Sequence, residues 1–581
     1  MPGRLRRPGA PEPRGAPVQR PDAGTPGQGV ARLIGRARRF DPFNTPAPSP
    51  LQHRRMSPWN RTMRRRFLHR CQLCLLLVAA TALSATAATP EQASRRLQGF
   101  LDGIPGLGPG YAVVVVDRDR QLLGYTRGQR NTATGAPLTM HTPMYVASQT
   151  KSYMGLLAHL LDQRGVLRLD STLADHWPQL RLPDGVDPAA WTLADLLNHR
   201  VPLHADALTT MEAYIGAPDP VLYPQLLATL ATARPAGFDY DNLGYNIYAA
   251  LLYQRTGRHW QDWLQELVFT PLGMRETAAR TSVFDSAQLA YNHQWLGEGR
   301  GWQVVAPKPD AIMHSAGGVM TSPRDLGRWL RLQLGGTLPP SIAPGVVDRA
   351  HAIGVQVDPK ARNAYELPCH GYAFGWNVCD FEGHTLYIHG GSYTGARSMM
   401  AFSPDLGVGI GVFSNSDNAT GWFTSRTVVQ FFQYLVDHPE ADTWARTRRQ
   451  VYPTRVAEQL DGLQARQAKE RAQARWQGWV WQPDAGVRAA YTARFRAERL
   501  PVEAAVTETG HGLHLQMGAL ARELQPATVD LFGAQGGPLD APEPLQFLRD
   551  GQGRINGFEY DGERYMRQPA PPPAMHTDVL P

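Results

Sequence analysis

Two groups of strand-forming segments enclose a long helical stretch, and this arrangement constrains the chain more than any other feature. Tyr111-Ala112-Val113-Val114-Val115-Val116 is a β-branched run, and a second strand signal at 121–125 follows a polar turn, which reads as a hairpin. Apolar residues then recur at helical spacing over 153–163, 193–197, 221–232, 243–255 and 260–268. Strand signals return at 385–389, 397–402 and 408–415, and 423–436 is again apolar at helical spacing. With a short helix at 92–102, this predicts an α+β fold. One antiparallel sheet, completed by the two ends of the domain, is flanked by helices and carries a helical subdomain between its halves.

The chain has 581 residues, too many for one compact domain. The first domain is read as 92–437. Residues 438–475 turn rich in Arg, Gln, Ala and Glu and read as a helical linker. Over 476–568 short alternating segments separated by Gly- and Asp-containing turns predict a small all-β, barrel-like domain, with strands at 502–508, 513–517, 528–532, 545–549 and 557–560. A Pro-rich tail occupies 569–581.

The formal net charge of +8 is unevenly spread. Residues 1–87 hold 16 Arg and no Lys against Glu12, Asp22 and Asp41, whereas the remainder holds 43 basic and 48 acidic residues. A mildly acidic body excludes a nucleic-acid partner. Met63-Arg64-Arg65-Arg66, an apolar run from Leu73 to Ala85 and the small residues Ala85-Thr86-Ala87-Ala88 read as a signal peptide over 63–87. The alternative is an uncleaved signal anchor. After cleavage no membrane span is expected, and the protein is placed in the periplasm or outside the cell. Residues 1–62 are Arg-, Pro- and Gly-rich without apolar periodicity and read as a disordered basic extension. Two cysteines then remain, Cys369 and Cys379, which can pair in an oxidising compartment or stay as two buried thiols.

Ser148-Gln149-Thr150-Lys151 opens the first long helix. Three-residue spacing puts Ser148 and Lys151 on one helical face, about 5–6 Å apart at Cβ. A Ser-Lys nucleophile pair requires that proximity. Lys is rare here, confined to Lys151, Lys308, Lys360 and Lys469 in a chain that otherwise uses Arg. An amine can lose its proton near neutral pH where a guanidinium cannot. Tyr240-Asp241-Asn242 precedes the helix near Leu243, where a phenol can shuttle a proton and an amide can bind a carbonyl or orient Lys151. His389-Gly390-Gly391-Ser392 ends a strand, where glycines admit close approach of backbone to ligand. Each pattern alone has a bland alternative: an ordinary helix turn, a packing tyrosine, a structural histidine. Their order along the chain is what carries the reading.

Ser148-x-x-Lys151, Tyr240-x-Asn242 and His389-x-Gly391 resemble the three active-site elements of the serine β-lactamase and penicillin-binding-protein superfamily. Asp195-Leu196-Leu197-Asn198-His199, Phe269-Thr270-Pro271-Leu272-Gly273-Met274, 315–322 and 372–376 resemble its class C branch. The C-terminal β segment resembles a lipocalin-like domain. The resemblance implies an acyl-enzyme mechanism with Ser148 as nucleophile and Lys151 and Tyr240 as base and acid. It implies an oxyanion hole from the N–H groups of Ser148 and Ser392, Asn242 on the acyl side chain and His389 on the leaving-group side. It requires no cofactor and no metal, and a small-molecule or peptide substrate. His-Gly-Gly in place of the usual Lys-Thr-Gly removes a cation suited to a β-lactam carboxylate. This favours an esterase or D-amino-acid peptidase over a β-lactamase or peptidoglycan DD-peptidase. A sensor acylated without turnover is the alternative of another class. Arg200, in a loop where relatives often read His-Thr-Ser-Gly, is expected to attract an acidic group.

Overall fold

The computed structural model describes residues 88–569 apart from Ala361 and His511. The expected extension, the signal peptide and all but Pro569 of the tail lie outside the described residues.

The first helix, α1 (Pro90–Asp102), starts at a capping box in which Thr89 and Gln92 exchange side-chain and backbone hydrogen bonds. The expected hairpin follows as β1 (Gly110–Asp117) and β2 (Gln121–Asn131). The helical middle contains α2 (Thr150–Gln163), α3 (Leu193–Leu197), α4 (Leu243–Thr256) and α5 (Pro323–Gln333). The helix expected over 221–232 is a 3-10 turn, Pro220–Leu222, running into Tyr223–Leu230. Strands β3 (Leu367–Ala373), β4 (Trp376–Phe381), β5 (His384–Tyr393), β6 (Ala396–Ser403) and β7 (Val408–Ser414) form a meander. Helices α6 (Phe423–Leu435) and α7 (Ala441–Arg471) follow.

These strands form one antiparallel sheet whose main run is β3-β4-β5-β6-β7-β1-β2. The N-terminal strand β1 thus sits between β7 and β2, as expected. Its continuous apolar sequence has a physical reason. Ala112, Val114 and Val116 pack with α5 on one face, and Tyr111, Val113 and Val115 pack with α1 and α6 on the other. A strand buried on both faces shows no alternation. Cys369 and Cys379 stand opposite each other on β3 and β4 and are joined by a disulfide.

The C-terminal segment is a closed eight-stranded antiparallel barrel: β8 (Ala493–Ala497), β9 (Glu503–Thr509), β10 (Gly512–Met517), β11 (Leu520–Thr528), β12 (Leu531–Gln535), β13 (Glu543–Arg549), β14 (Ile555–Tyr560) and β15 (Glu563–Arg567). Strands β8, β11 and β15 were not expected from sequence, and the strand expected at 528–532 begins at Leu531. Phe495, Phe532, Phe547 and Phe558 fill the interior in edge-to-face pairs 4.9–5.8 Å apart. Ala519 N–H donates to the Ile215 carbonyl at 2.8 Å and ties the barrel to the helical subdomain.

Candidate active site

Ser148 sits on a 3-10 turn, Ala147–Gln149, immediately before α2 rather than inside it. Ala147 holds φ at +48°, a left-handed conformation that L-residues avoid, as the chain turns sharply from the Met144–Tyr145 strand into the helix. One turn on, Lys151 is fully buried. Its Nζ donates to Ser148 Oγ at 3.3 Å, Asn242 Oδ1 at 2.8 Å and the Ala316 carbonyl at 2.9 Å. The rings of Tyr240 and Tyr245 lie 4.7 and 5.6 Å from the same nitrogen. Three acceptors and two aromatic faces therefore hold the amine against the serine.

Tyr240 reaches the site from the loop that ends at Asn242, the residue preceding α4. Asp241 starts that helix by accepting the Leu243 N–H at 2.6 Å. Burial pushes the Tyr240 phenol well above its ordinary range, and a hydrogen bond with Ser148 opposes this only in part. The phenol is therefore a proton donor in the resting site rather than a standing phenolate.

His389 is buried in β5, its Nδ1 2.7 Å from the Gly390 carbonyl and its Nε2 3.4 Å from the Tyr372 hydroxyl. Burial, reinforced by the Lys151 charge, pulls its pKa down to about 3, so the ring stays neutral at working pH. A Cβ at Gly391 would come within 1.9 Å of the Val146 carbonyl, so only glycine lets β5 lie this close to the nucleophile turn. Ser392 follows, exposed, on the same strand. The seven residues expected from sequence thus come from four segments of chain: Ser148 and Lys151 from the turn and α2, Tyr240 and Asn242 from the loop before α4, and His389, Gly391 and Ser392 from β5. Arg200 already has an acidic partner within the chain, pairing with Asp195 of α3 at 2.6 Å.

Sequence reasoning missed several neighbours. The Ala316 carbonyl carries no side-chain signal. His199 lies within 4.7 Å of the Tyr240 ring and accepts the Asp241 N–H at 3.1 Å. Lys308 is buried 3.2 Å from the Tyr145 hydroxyl and 4.7 Å from the Tyr393 ring, and burial pushes its amine down to about 7. Its rarity as a lysine was the available clue. Among the described residues one trio, His204, Asp206 and Asp241, brings potential metal-ligand atoms within 4.8 Å of one another. His204 and Asp241 of that trio are already joined as an ion pair, and the other His204 nitrogen faces Asp239.

The sequence model of one family, described as Beta-lactamase, matches residues 99–432. Penicillin-binding protein 4 of Amycolatopsis lactamdurans is 27% identical over 54% of this chain and 83% of its own length. Protein flp of Staphylococcus aureus strain MW2 is 22% identical over 58% of this chain and 65% of its own length, just under two thirds. Among solved structures, the octameric penicillin-binding protein homologue from Pyrococcus abyssi superposes with a TM-score of 0.50 at 17% identity, covering 81% of this chain and 99% of its own. That last likeness is one of fold.

Proposed function

From the premise that this chain belongs to the beta-lactamase family and is of hydrolase type, we propose that it is an exported serine hydrolase that cleaves an ester or a D-amino-acid amide through an acyl-enzyme on Ser148. The observation that carries this is the Lys151 amine, fixed 3.3 Å from Ser148 Oγ by Asn242 and Ala316. In its neutral form that amine takes the Ser148 proton as Oγ bonds to the acyl carbon. The oxyanion is held by the N–H groups of Ser148 and Ser392. Collapse breaks the bond to the leaving group, which departs with a proton from Tyr240. Water then attacks the ester carbonyl as the Tyr240 phenolate takes its proton, and the bond to Oγ breaks as the Lys151 ammonium returns a proton to Ser148, freeing the acid.

The neutral His389 supports an ester or amide over a β-lactam, since it supplies no cation for a ring carboxylate. The leader at 63–87 and the Cys369–Cys379 disulfide support export. No helix among the described residues is long and apolar enough to cross a membrane. The name of the 27%-identical relative favours a second reading, acylation by penicillins with slow release. Hydrolysis of a short-chain p-nitrophenyl ester, with Ser148→Ala beside it, tests the first. Repeated turnover that the variant lacks establishes the nucleophile, a single stoichiometric burst supports the second reading, and equal activity in both proteins refutes the assignment of Ser148.

A further inference from the structure

The loop that delivers Tyr240 is anchored on both sides of the phenol by one imidazole. Asp239 and Asp241 flank Tyr240, and His204 Nε2 lies 3.3 Å from Asp239 Oδ2 while Nδ1 lies 3.4 Å from Asp241 Oδ2. His204 is carried there by a two-residue strand, Leu203–His204, paired with Thr232–Ala233 at the start of the same loop. His199 holds the backbone from the other side. Its carbonyl accepts the Asp239 N–H and its Nδ1 the Asp241 N–H, both at 3.1 Å.

A neutral imidazole has one N–H and can donate to one carboxylate; only the protonated ring donates to both. We propose that His204, as an imidazolium, is a positioning residue for Tyr240: it clamps the carboxylates on either side of the phenol and fixes its distance from Ser148 and Lys151. The proposal rests on Tyr240 acting in the reaction and adds what holds it in register. The charged groups facing the ring are Asp239 and Asp241 from the loop, Asp206 from the 206–210 helix, and Arg234, whose Nε lies 3.8 Å from Asp239. The acids outnumber the single guanidinium. Hydrogen bonds to Asp239 and then Asp241 raise the His204 pKa to about 9 against the desolvation that lowers it. With the folded value above the unfolded value near 6.5, the clamp is complete below pH 6.5 and is lost as pH rises through about 9.

The test uses the full-length protein, a short-chain p-nitrophenyl ester with buffer blanks, and pH 6 to 10. His204→Gln is expected to lower kcat by about 10- to 100-fold with KM changed less than about two-fold, because a misplaced acid costs rate rather than binding. The activity loss centred near pH 9 should vanish with it. His204→Arg keeps a permanent cation and should recover most of kcat while also lacking that loss. Subtracting its profile from wild type removes any contribution from Lys308. Circular dichroism and melting curves confirm that each variant is folded. A His204→Gln protein with wild-type kcat and an unchanged alkaline limb overturns the clamp. So does activity of the wild type that is stripped by a chelator and restored by Zn²⁺, which would make the trio a metal site. Tyr240→Phe separates the two levels. If it is fully active, the catalytic reading has failed; if it is inactive while His204→Gln is normal, only the clamp has.

Discussion

The sheet domain and the barrel bury different kinds of group. Around Ser148 the interior holds Lys151, Lys308, His199, His314, His389, Glu212 and Asn246, all 8% exposed or less. Among the described barrel residues, Glu563 is the one charged side chain less than a tenth exposed, and Arg499 answers it at 2.9 Å; Asp561, in the turn between β14 and β15, is half-buried. Buried polar groups cost stability unless they are paired, so a fold that keeps many in one place does so for chemistry. The barrel shows the opposite condition. Its interior is packed with phenylalanine, leaving its contribution to packing and to contact with the helical subdomain. The contrast sets the seven residues expected from sequence, which all lie between Ser148 and Ser392, against a barrel whose interior, among the described residues, holds no such cluster.

The largest effect expected from this contrast is on rate. Ser148→Ala should cut kcat by about 10⁴-fold or more, with little change in melting temperature, in a steady-state ester assay. An equally large loss of melting temperature would mean that the serine is structural. Next, Phe547→Ala should cost about 3–5 kcal/mol in denaturant unfolding followed within the barrel, with kcat per folded molecule retained. A fall in kcat as steep as that in stability would break the contrast, because the barrel would then be part of the site.

A third expectation concerns pH. Burial pulls His159, His293 and His351 down to about 4 and His389 to about 3. Unfolded, each takes up a proton near pH 6.5; folded, each refuses it until about 4 or below. The unfolded state therefore binds more protons in that window, and the sheet domain loses stability as pH falls from 6.5 towards 4. Burial also pulls His199 and His314 down and adds to this, while Glu212, raised to about 7 by burial, and Asp325 and Asp417, raised by burial, oppose it. In the barrel, Asp561 is raised to about 7 by burial and then by Glu543, and its folded form keeps a proton that the unfolded chain releases above about 4. Barrel stability from that group therefore falls as pH rises. Hydrogen exchange, corrected for intrinsic rates, should show β5 and α2 losing protection between pH 7 and 5 while the barrel strands hold or gain it. Parallel loss in both regions would refute the assignment. The smallest effect belongs to Arg200→Ala. Its ion pair with Asp195 is half exposed, so removal should cost under about 1 kcal/mol and leave the preference between acidic and neutral esters unchanged.

Legibility in the sequence followed the same division. The sheet was readable because β1 is apolar on both faces and the β5–β7 meander keeps strong strand residues. In the barrel, β11 reads Leu520-Ala521-Arg522-Glu523-Leu524-Gln525-Pro526 and offers little alternation, with a proline beside a register shift against β12. Strand β8 carries Arg494 and Arg496 outward, and Phe495 is the one large residue on an inner face otherwise made of Ala493 and Ala497. At the site, side chains with rare chemistry were visible: Ser148, Lys151, Tyr240 and the glycines beside His389. What was hidden has no sequence signature. The Ala316 carbonyl is an acceptor that every residue type possesses, and the bearing of His204 on Tyr240 depends on a two-residue strand pair.

The place of β1 in the sheet has a consequence for how the molecule is made. Its hairpin with β2 is local, but its other neighbour, β7, pairs Val113 with Val412 far along the chain. Until that segment leaves the ribosome, one edge of a strand with a continuous apolar run stays unsealed, and closing so long a loop carries an entropic cost. Early in synthesis its first strand is therefore an aggregation hazard until its last sheet strand arrives.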